Sequence, residues 1–203
     1  MLTVGNDGAA VERHLAGGQL ECPGCGGQLR GWGHARSREI RLAGGGRQRL
    51  RPRRAVCGDC GHTHVLLPAG TLARRADSAA VIGEALALAA AGLGFRAIAG
   101  RLGRAAATVR GWLRRFASRA GALRSAFTAL ACALDPDPLL PGPAGSAAAD
   151  AVAAIEAAAV AAARRWGELA SVLSPWELAS AVTCGRLLSP GAAVQMINTS
   201  CLW

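Results

Sequence analysis

The sequence predicts a small β module held together by four cysteines, followed by an all-α region with a helix-turn-helix and an alanine-rich helical C-terminal region. Two Cys-x-x-Cys pairs, Cys22–Cys25 and Cys57–Cys60, enclose short apolar alternations and glycine turns, which are typical of a small β module. From residue 77 onward, apolar residues recur at helical spacing. A proline-rich stretch at 135–143 then separates an alanine-rich region, 147–203, from the rest of the chain.

The two cysteine pairs have the spacing of a structural zinc site. Two residues between paired cysteines form a tight turn that directs both sulfurs to one point, and two such turns supply four thiolates in a tetrahedron. We therefore predict a zinc ribbon at 22–68, preceded by a leader at 1–21 to which no function is assigned. The predicted ligands of this structural zinc are Cys22, Cys25, Cys57 and Cys60. Because four thiolates complete the site, His62 and His64 are expected to be surface residues or supporting hydrogen-bond donors.

A row of arginines lies between the two cysteine pairs. Arg38–Leu42 and Arg47–Val56 are predicted to be an antiparallel strand pair joined by a glycine turn. Because side chains alternate along a strand, one face of the second strand carries Arg47, Arg49, Arg51 and Arg53. No acids interrupt this row, so we predict that it lies along a DNA phosphate backbone; the alternative is a solvated outer face. Pro52 lacks an amide donor and predicts a strand edge or a bend.

The segment 77–117 is predicted to be a helix-turn-helix unit. Asp77 and Ser78 form an N-cap pair for a helix over Ala79–Ala91. Gly103 lies at the predicted turn between the two following helices, where a left-handed conformation is needed. The apolar face of the second of these helices consists of Val109, Trp112, Leu113 and Phe116. Arg104 stands just after the turn, where an apolar residue is usual.

The second helix of this unit is the predicted recognition helix. Arg110 and Arg114 face a DNA groove in this interpretation, and an arginine can pair with the edge of a guanine through two hydrogen bonds. The alternative is a basic three-helix bundle that makes no groove contact. The residues of this unit predicted to contact double-stranded DNA are Arg101, Arg104, Thr108, Arg110, Arg114 and Arg115.

Charge is concentrated in the same part of the chain. The formal net charge is +10, every basic residue is arginine, and residues 22–124 hold 19 arginines against four acids. Such a field favours a polyanion, with nucleic acid as the expected partner. The apolar runs contain Glu84, Asp150 or Glu156, so no membrane span is predicted. An odd number of cysteines and the lack of a secretory pattern predict a reducing, cytoplasmic setting.

The C-terminal half gives weaker expectations. Residues 118–146 are predicted to extend the helical unit and end in a proline-rich linker, and 147–203 to be helical. Ser174 and Glu177 form a capping box that opens a helix to about Leu188. This region is expected to pack on the front half, to form a homodimer or to be loosely folded. The three cysteines outside the pairs, expected to be small buried hydrophobes, are Cys132, Cys184 and Cys201.

Three runs of sequence carry a resemblance to known proteins: Cys57-Gly-Asp-Cys60-Gly-His-Thr-His, Phe95-Arg-Ala-Ile-Ala-Gly-Arg-Leu-Gly and Thr108-Val-Arg-Gly-Trp-Leu-Arg-Arg-Phe. The chain resembles the DNA-binding N-terminal region of bacterial insertion-sequence transposases, and it resembles more closely actinobacterial zinc-ribbon plus helix-turn-helix proteins of unassigned function. The resemblance covers about Cys22 to Phe116. It implies zinc at the four paired cysteines and DNA at the second helix, without catalysis, because the transposase catalytic domain has no counterpart in this sequence.

The sequence therefore predicts a non-catalytic, zinc-stabilised DNA-binding protein, acting as a transposon-associated accessory factor or a transcriptional regulator. The alternative is a protein-interaction module that docks a transposase or a polymerase partner. No catalytic residues are predicted, because the acids at 135–150 lie in or beside the linker and not on strands that could hold them together.

Overall fold

The computed structural model of the protein describes residues 1–167 and 173–190. The strands are β1 Leu2–Val4, β2 Leu29–His34, β3 Arg38–Arg41, β4 Arg47–Leu50, β5 Arg53–Cys57 and β6 Thr63–Pro68. The helices are α1 Gly8–Ala16, α2 Ala79–Ala90, α3 Phe95–Leu102, α4 Ala106–Ala117, α5 Ala120–Leu134, α6 Ala147–Trp166 and α7 Pro175–Val182. A small β module with a cysteine cluster followed by a helical region that contains a helix-turn-helix confirms the predicted fold class.

The β module consists of two sheets. A four-stranded sheet has the order β1-β6-β5-β2, in which β1 and β6 are parallel and the other neighbours are antiparallel. The second sheet is the hairpin β3–β4, closed by a short 3₁₀ turn in which Gly44 has a φ of 70°. The expectation of one strand over Arg47–Val56 is wrong. Pro52 separates β4 from β5, and the chain passes there from the hairpin into the four-stranded sheet.

The N-terminal leader belongs to the β module. Strand β1 pairs with β6, with Leu2 opposite Leu66. Helix α1 begins after Asp7, whose carboxylate accepts a hydrogen bond from the amide of Ala9, and its buried residues are Val11 and Leu15. These leader residues share a buried cluster with Cys22 and Cys57, so the leader covers the apolar side of the cysteine-bearing sheet.

Helices α2–α7 surround a second, larger core. Its fully buried side chains include Phe116 of α4 and Phe127 of α5. At the predicted turn, Gly103 ends α3 in the left-handed conformation, with a φ of 62° and a ψ of 41°. Ala105 caps α4 without a side-chain hydrogen bond, since alanine offers no acceptor. The long helices α5 and α6 lie along each other and complete this core.

The C-terminal helices pack on the front half of the chain. The predicted capping box at Ser174 and Glu177 is present, but α7 ends at Val182 and not near Leu188. The ring of Trp176 lies directly on Gly83 of α2, where an added Cβ would overlap it. Asn6, just after β1, donates from Nδ2 to Glu177 Oε1 at 2.7 Å, so α7 also contacts the leader.

Two further expectations concern cysteines and the tail. Cys132, expected to be buried, is exposed on α5, and Cys184 is half-buried. Cys201 lies outside the described residues, as do 168–172 and the rest of the tail at 191–203. Among the described helices, none is long and apolar enough to cross a membrane.

Candidate metal centre and nucleic-acid interface

The structure brings the four predicted ligand sulfurs together. All four Sγ atoms, those of Cys22, Cys25, Cys57 and Cys60, lie within 4.8 Å of one another. The Sγ atoms of Cys22 and Cys60 are 3.8 Å apart, and those of Cys25 and Cys57 are 3.4 Å apart. A tetrahedral zinc with Zn–S bonds of about 2.3 Å requires sulfurs about 3.8 Å apart. The donor set therefore fits one zinc ion and leaves no position on it for a substrate.

Each cysteine pair lies in a turn closed by backbone hydrogen bonds. The amide of Gly26 donates to the carbonyl of Cys22 at 2.9 Å, and the amide of Gly61 donates to the carbonyl of Cys57 at 3.2 Å. Gly26 and Gly61 have φ values of 76° and 69°, a region that side-chain-bearing residues rarely adopt. Thus a glycine after each pair closes the turn that directs both sulfurs inward.

The local hydrogen bonds favour ionisation at one cysteine in particular. The backbone amide of Cys60 and then that of Asp59 lower the pKa of Cys57 to about 7. At Cys25 the amide of Gly27 also lowers the pKa, but hydrogen bonding with the thiols of Cys57 and Cys60 outweighs it and raises the pKa to about 12. A zinc ligand must be a thiolate, so the backbone amides around Cys57 favour the form that binds metal.

His64 contacts the cysteine cluster through one of its ring nitrogens. Its Nε2 lies 3.4 Å from Cys22 Sγ, and only 8% of the residue is exposed. Burial lowers the pKa of His64, which favours the neutral ring that can donate one N–H to the sulfur. His62 is exposed and lies beside the second turn. The sequence allowed either histidine to be a supporting hydrogen-bond donor. The structure gives this position to His64.

Helix α4 has one buried and one exposed face. Val109, Trp112 and Phe116 are buried in the helical core. Arg110 and Arg114 are exposed on the opposite side, and the guanidinium of Arg110 lies 5.8 Å from the ring centroid of Phe95, at the start of α3. The structure thus places both predicted groove-facing arginines on the solvent side of the helix, with Arg110 held over an aromatic ring.

The other residues of this unit that are predicted to contact DNA differ in burial and in their partners within the protein. Arg115 Nη1 donates to the carbonyl of Gly111 at 3.1 Å along its own helix. Arg101 is exposed and lies 3.9 Å from Glu84, a weak surface ion pair. Thr108 is half-buried on α4.

Arg104 lies in an interior contact, which changes the interpretation of this residue. Its Nε lies 2.6 Å from Asp77 Oδ1, and its Nη2 donates to the carbonyl of Leu42 at 3.1 Å. Asp77 also binds Arg41 of β3 at 2.7 Å. The guanidinium of Arg104 is thus engaged within the protein, where it joins the hairpin to the helix-turn-helix.

Asp77 itself was assigned from sequence to an N-cap pair. The capping oxygen is that of Ser78, which accepts from the amide of Val81 at 3.3 Å. Asp77 is 2% exposed and holds the two arginines. The sequence signal that could have revealed this role is Arg104 itself. It is a charged residue just after the turn, where an apolar side chain is usual.

The row of arginines on the β module is divided by the change of sheet at Pro52. Arg47 pairs with Glu39 at 2.9 Å, and Arg53 pairs with Glu12 of α1 at 2.8 Å. Arg49 Nε donates to Ser37 Oγ at 2.9 Å. Arg51 is exposed and has no ion pair within the described part of the chain. No acid lies within this row, but Glu39 of β3 and Glu12 of α1 neutralise two of its arginines.

Two family models match parts of the chain. Residues 22–93 match a domain of unknown function (DUF6431), and residues 78–124 match a homeodomain-like domain. No curated protein and no solved structure matches the chain. The second match covers α2–α4 and the start of α5, so the helical unit is similar to a homeodomain-like helix-turn-helix, a fold typical of DNA-binding proteins. The first match includes all four cysteines of the candidate zinc site.

Proposed function

We propose that the protein is a non-catalytic, zinc-stabilised DNA-binding protein that acts as a transposon-associated accessory factor or a transcriptional regulator. The observation that carries this proposal is the exposed arginine face of α4 within a homeodomain-like unit. The proposal includes a cytoplasmic location, because the DNA partner would be chromosomal.

In this proposal α4 enters the major groove of double-stranded DNA. Arg110 and Arg114 are four residues apart, so they lie on the same side of the helix. An arginine there pairs with the O6 and N7 atoms of guanine. The residues at 105–107 are all alanine and have no side-chain hydrogen-bonding groups. Discrimination between sequences therefore depends on the arginines and is modest.

The zinc site contributes folding and not chemistry. Four thiolates would hold the ion, and zinc bound in this way supplies a cross-link between the two cysteine turns. That cross-link ties the turn before β2 to the turn between β5 and β6. The contact of Arg104 with Leu42 and Asp77 separately fixes the hairpin against the helix-turn-helix. The proposal assigns no catalytic residue.

A duplex-binding titration across salt concentrations tests the proposal. Each neutralised phosphate releases counterions, so the affinity should fall steeply as salt rises. Replacing both Arg110 and Arg114 with alanine should weaken binding at least about tenfold, as expected for losing charge-assisted contacts. Arg165→Ala, which removes one exposed charge from α6, is the control and should have little effect. Affinity that does not depend on salt, or that survives the double substitution, contradicts the proposal.

A protein-interaction module that docks a transposase or polymerase partner is the second candidate. Leu139 and Leu140 favour it, because they are 71% and 48% exposed in the proline-rich linker, where large apolar side chains have no core to join. The double substitution on α4 separates the two candidates. If it removes DNA binding and leaves binding of a purified partner intact, the first is supported; the reverse supports the second.

A further inference from the structure

A cavity beside strand β6 of the four-stranded sheet is lined by an excess of positive charge. It has a volume of about 710 Å³ and lies between β6, the segment after β2 and the segment after α7. Four arginines line it: Arg36, Arg38, Arg74 and Arg186. None of its described lining residues is acidic. A second cavity, of about 670 Å³, contains Arg51 and Arg53 together with Glu12 and Glu177, so its charges are balanced.

Among the residues that the structure describes, no acid pairs with these four arginines, whereas eight other arginines form ion pairs. Arg38 donates from Nη2 to the carbonyl of Leu72 at 3.3 Å, and its Nε is enclosed without a hydrogen-bond partner. Guanidinium groups around one cavity repel each other, and a bound anion removes that repulsion.

The backbone around the cavity is built to hold two of these arginines in place. Arg74 has a φ of 58°, a left-handed conformation that is uncommon for residues other than glycine and often marks a functional position. Gly185 has a φ of 72° and lies so close to Leu67 that a Cβ would overlap it. Its carbonyl accepts from the amide of Ala73 at 2.8 Å. The segment that carries Arg186 is thus bound through Gly185 to Ala73, next to Arg74.

Buried Arg119 fixes the same segment from the helical side. Its Nη1 donates to the carbonyls of Arg186 and Leu187, and 7% of the residue is exposed. The backbone at Arg186 is therefore held by hydrogen bonds from two elements, while the side chain of Arg186 stays at the cavity. A site whose backbone is fixed, and whose arginines form no ion pair with the described residues, is pre-organised for an anion.

The remaining lining residues are mainly apolar. Val65 and Leu67 of β6, with Pro52 and Pro190, give the cavity apolar walls. Its volume is that of a ligand pocket and exceeds what a single phosphate requires. An apolar wall beside several guanidinium groups suits a flat ring attached to adjacent phosphates, because the ring packs on the wall and each phosphate accepts forked hydrogen bonds.

We propose that this cavity is a binding site for a small molecule that carries a flat ring and two or more phosphates, such as a nucleoside diphosphate. The site is separate from the exposed face of α4. It adds a small-molecule ligand to a protein for which we proposed DNA as the partner, and it does not depend on that proposal.

Isothermal titration of the full chain with ADP, GDP and pyrophosphate, in buffer free of phosphate and sulfate, tests this site. We expect at least one of the two nucleotides to bind saturably with a Kd below about 1 mM, and adenosine and guanosine to bind much more weakly. Arg36→Ala and Arg186→Ala change exposed side chains, so the fold is expected to survive, and each should weaken nucleotide binding about tenfold. The control Arg165→Ala should leave it unchanged. No binding of any of the three probes, or equal weakening by the control, overturns the proposal.

A competition arm separates a free nucleotide from a DNA phosphate. The protein with Arg110 and Arg114 both replaced by alanine should still bind the nucleotide, and excess duplex should not displace the nucleotide from the unmodified protein. If duplex displaces it, and Arg36→Ala and Arg186→Ala weaken duplex binding as much as nucleotide binding, the cavity holds backbone phosphates and the small-molecule proposal is overturned. Failure of duplex binding alone would affect the proposed function and not this site.

Discussion

Arg104 and Asp77 form an interior ion pair, with Nε and Oδ1 2.6 Å apart and side chains that are 9% and 3% exposed. The same carboxylate holds Arg41 of the hairpin, so one acid joins the β module to the homeodomain-like unit. Because of this contact, the basic hairpin has a fixed position relative to α4. The two parts of the predicted DNA surface are therefore joined through one carboxylate.

Replacing Asp77 with asparagine should destabilise the protein strongly. Loss of one partner leaves a buried charge uncompensated, which costs about 3–5 kcal/mol. Urea unfolding followed by circular dichroism measures this change. The control is Glu84→Gln, which removes the exposed acid 3.9 Å from Arg101 and should cost less than about 1 kcal/mol. Equal effects of the two substitutions would show that Asp77 has no special role.

Zinc content should be one ion per chain. Cys57→Ser removes a ligand and should release the metal and unfold the β module, because the ion cross-links its two turns. Cys132→Ser is the matched control, since Cys132 is an exposed cysteine on α5. Elemental analysis of freshly reduced protein measures the metal. A full equivalent of zinc in the Cys57→Ser protein, or none in the unmodified protein, is incompatible with the proposed site.

Gly83→Ala should destabilise the contact between α2 and α7. Its Cβ would overlap the ring of Trp176, and overpacking of this kind typically costs about 1–3 kcal/mol. Gly100→Ala on α3 is the control, because its Cβ meets nothing within 4 Å, and it should stabilise the helix by up to about 1 kcal/mol. Thermal unfolding distinguishes the two. The two substitutions are expected to change the stability in opposite directions. A stabilising Gly83→Ala would mean that Trp176 can move away at little cost.

Arg51 and Arg104 should differ in their effect on salt dependence. Arg51 is exposed without an ion pair in the described structure, so Arg51→Ala should reduce the slope of log affinity against log salt by about one phosphate contact. Arg104→Ala should lower the stability and leave that slope nearly unchanged at a temperature where the protein is folded. The slope comes from duplex titrations at several salt concentrations. A larger change in slope for Arg104→Ala would return that residue to the DNA surface.

The parts of the molecule that the sequence predicted depend on local geometry. The cysteine turns and the left-handed Gly103 follow from a few neighbouring residues whose conformations only certain side chains permit. The ion pair of Arg104 with Asp77 is not predicted from sequence, because Asp77 lies in another element and a charge next to a turn usually faces solvent. The pairing of Arg53 with Glu12 was missed for the same reason, since the leader had to be placed beside the sheet before the two could meet.

The hydrogen bond between Asn6 and Glu177 joins residues that are 171 positions apart. During synthesis the cysteine turns can bind metal once residue 64 has emerged from the ribosome, because Gly61 closes the second turn and His64 is the supporting donor to Cys22. The hydrogen bond between Asn6 and Glu177 can form only after almost all of the described chain has been made. Contacts between residues so far apart in sequence form slowly. Folding is therefore expected to begin at the metal and to end with α7 closing on the leader.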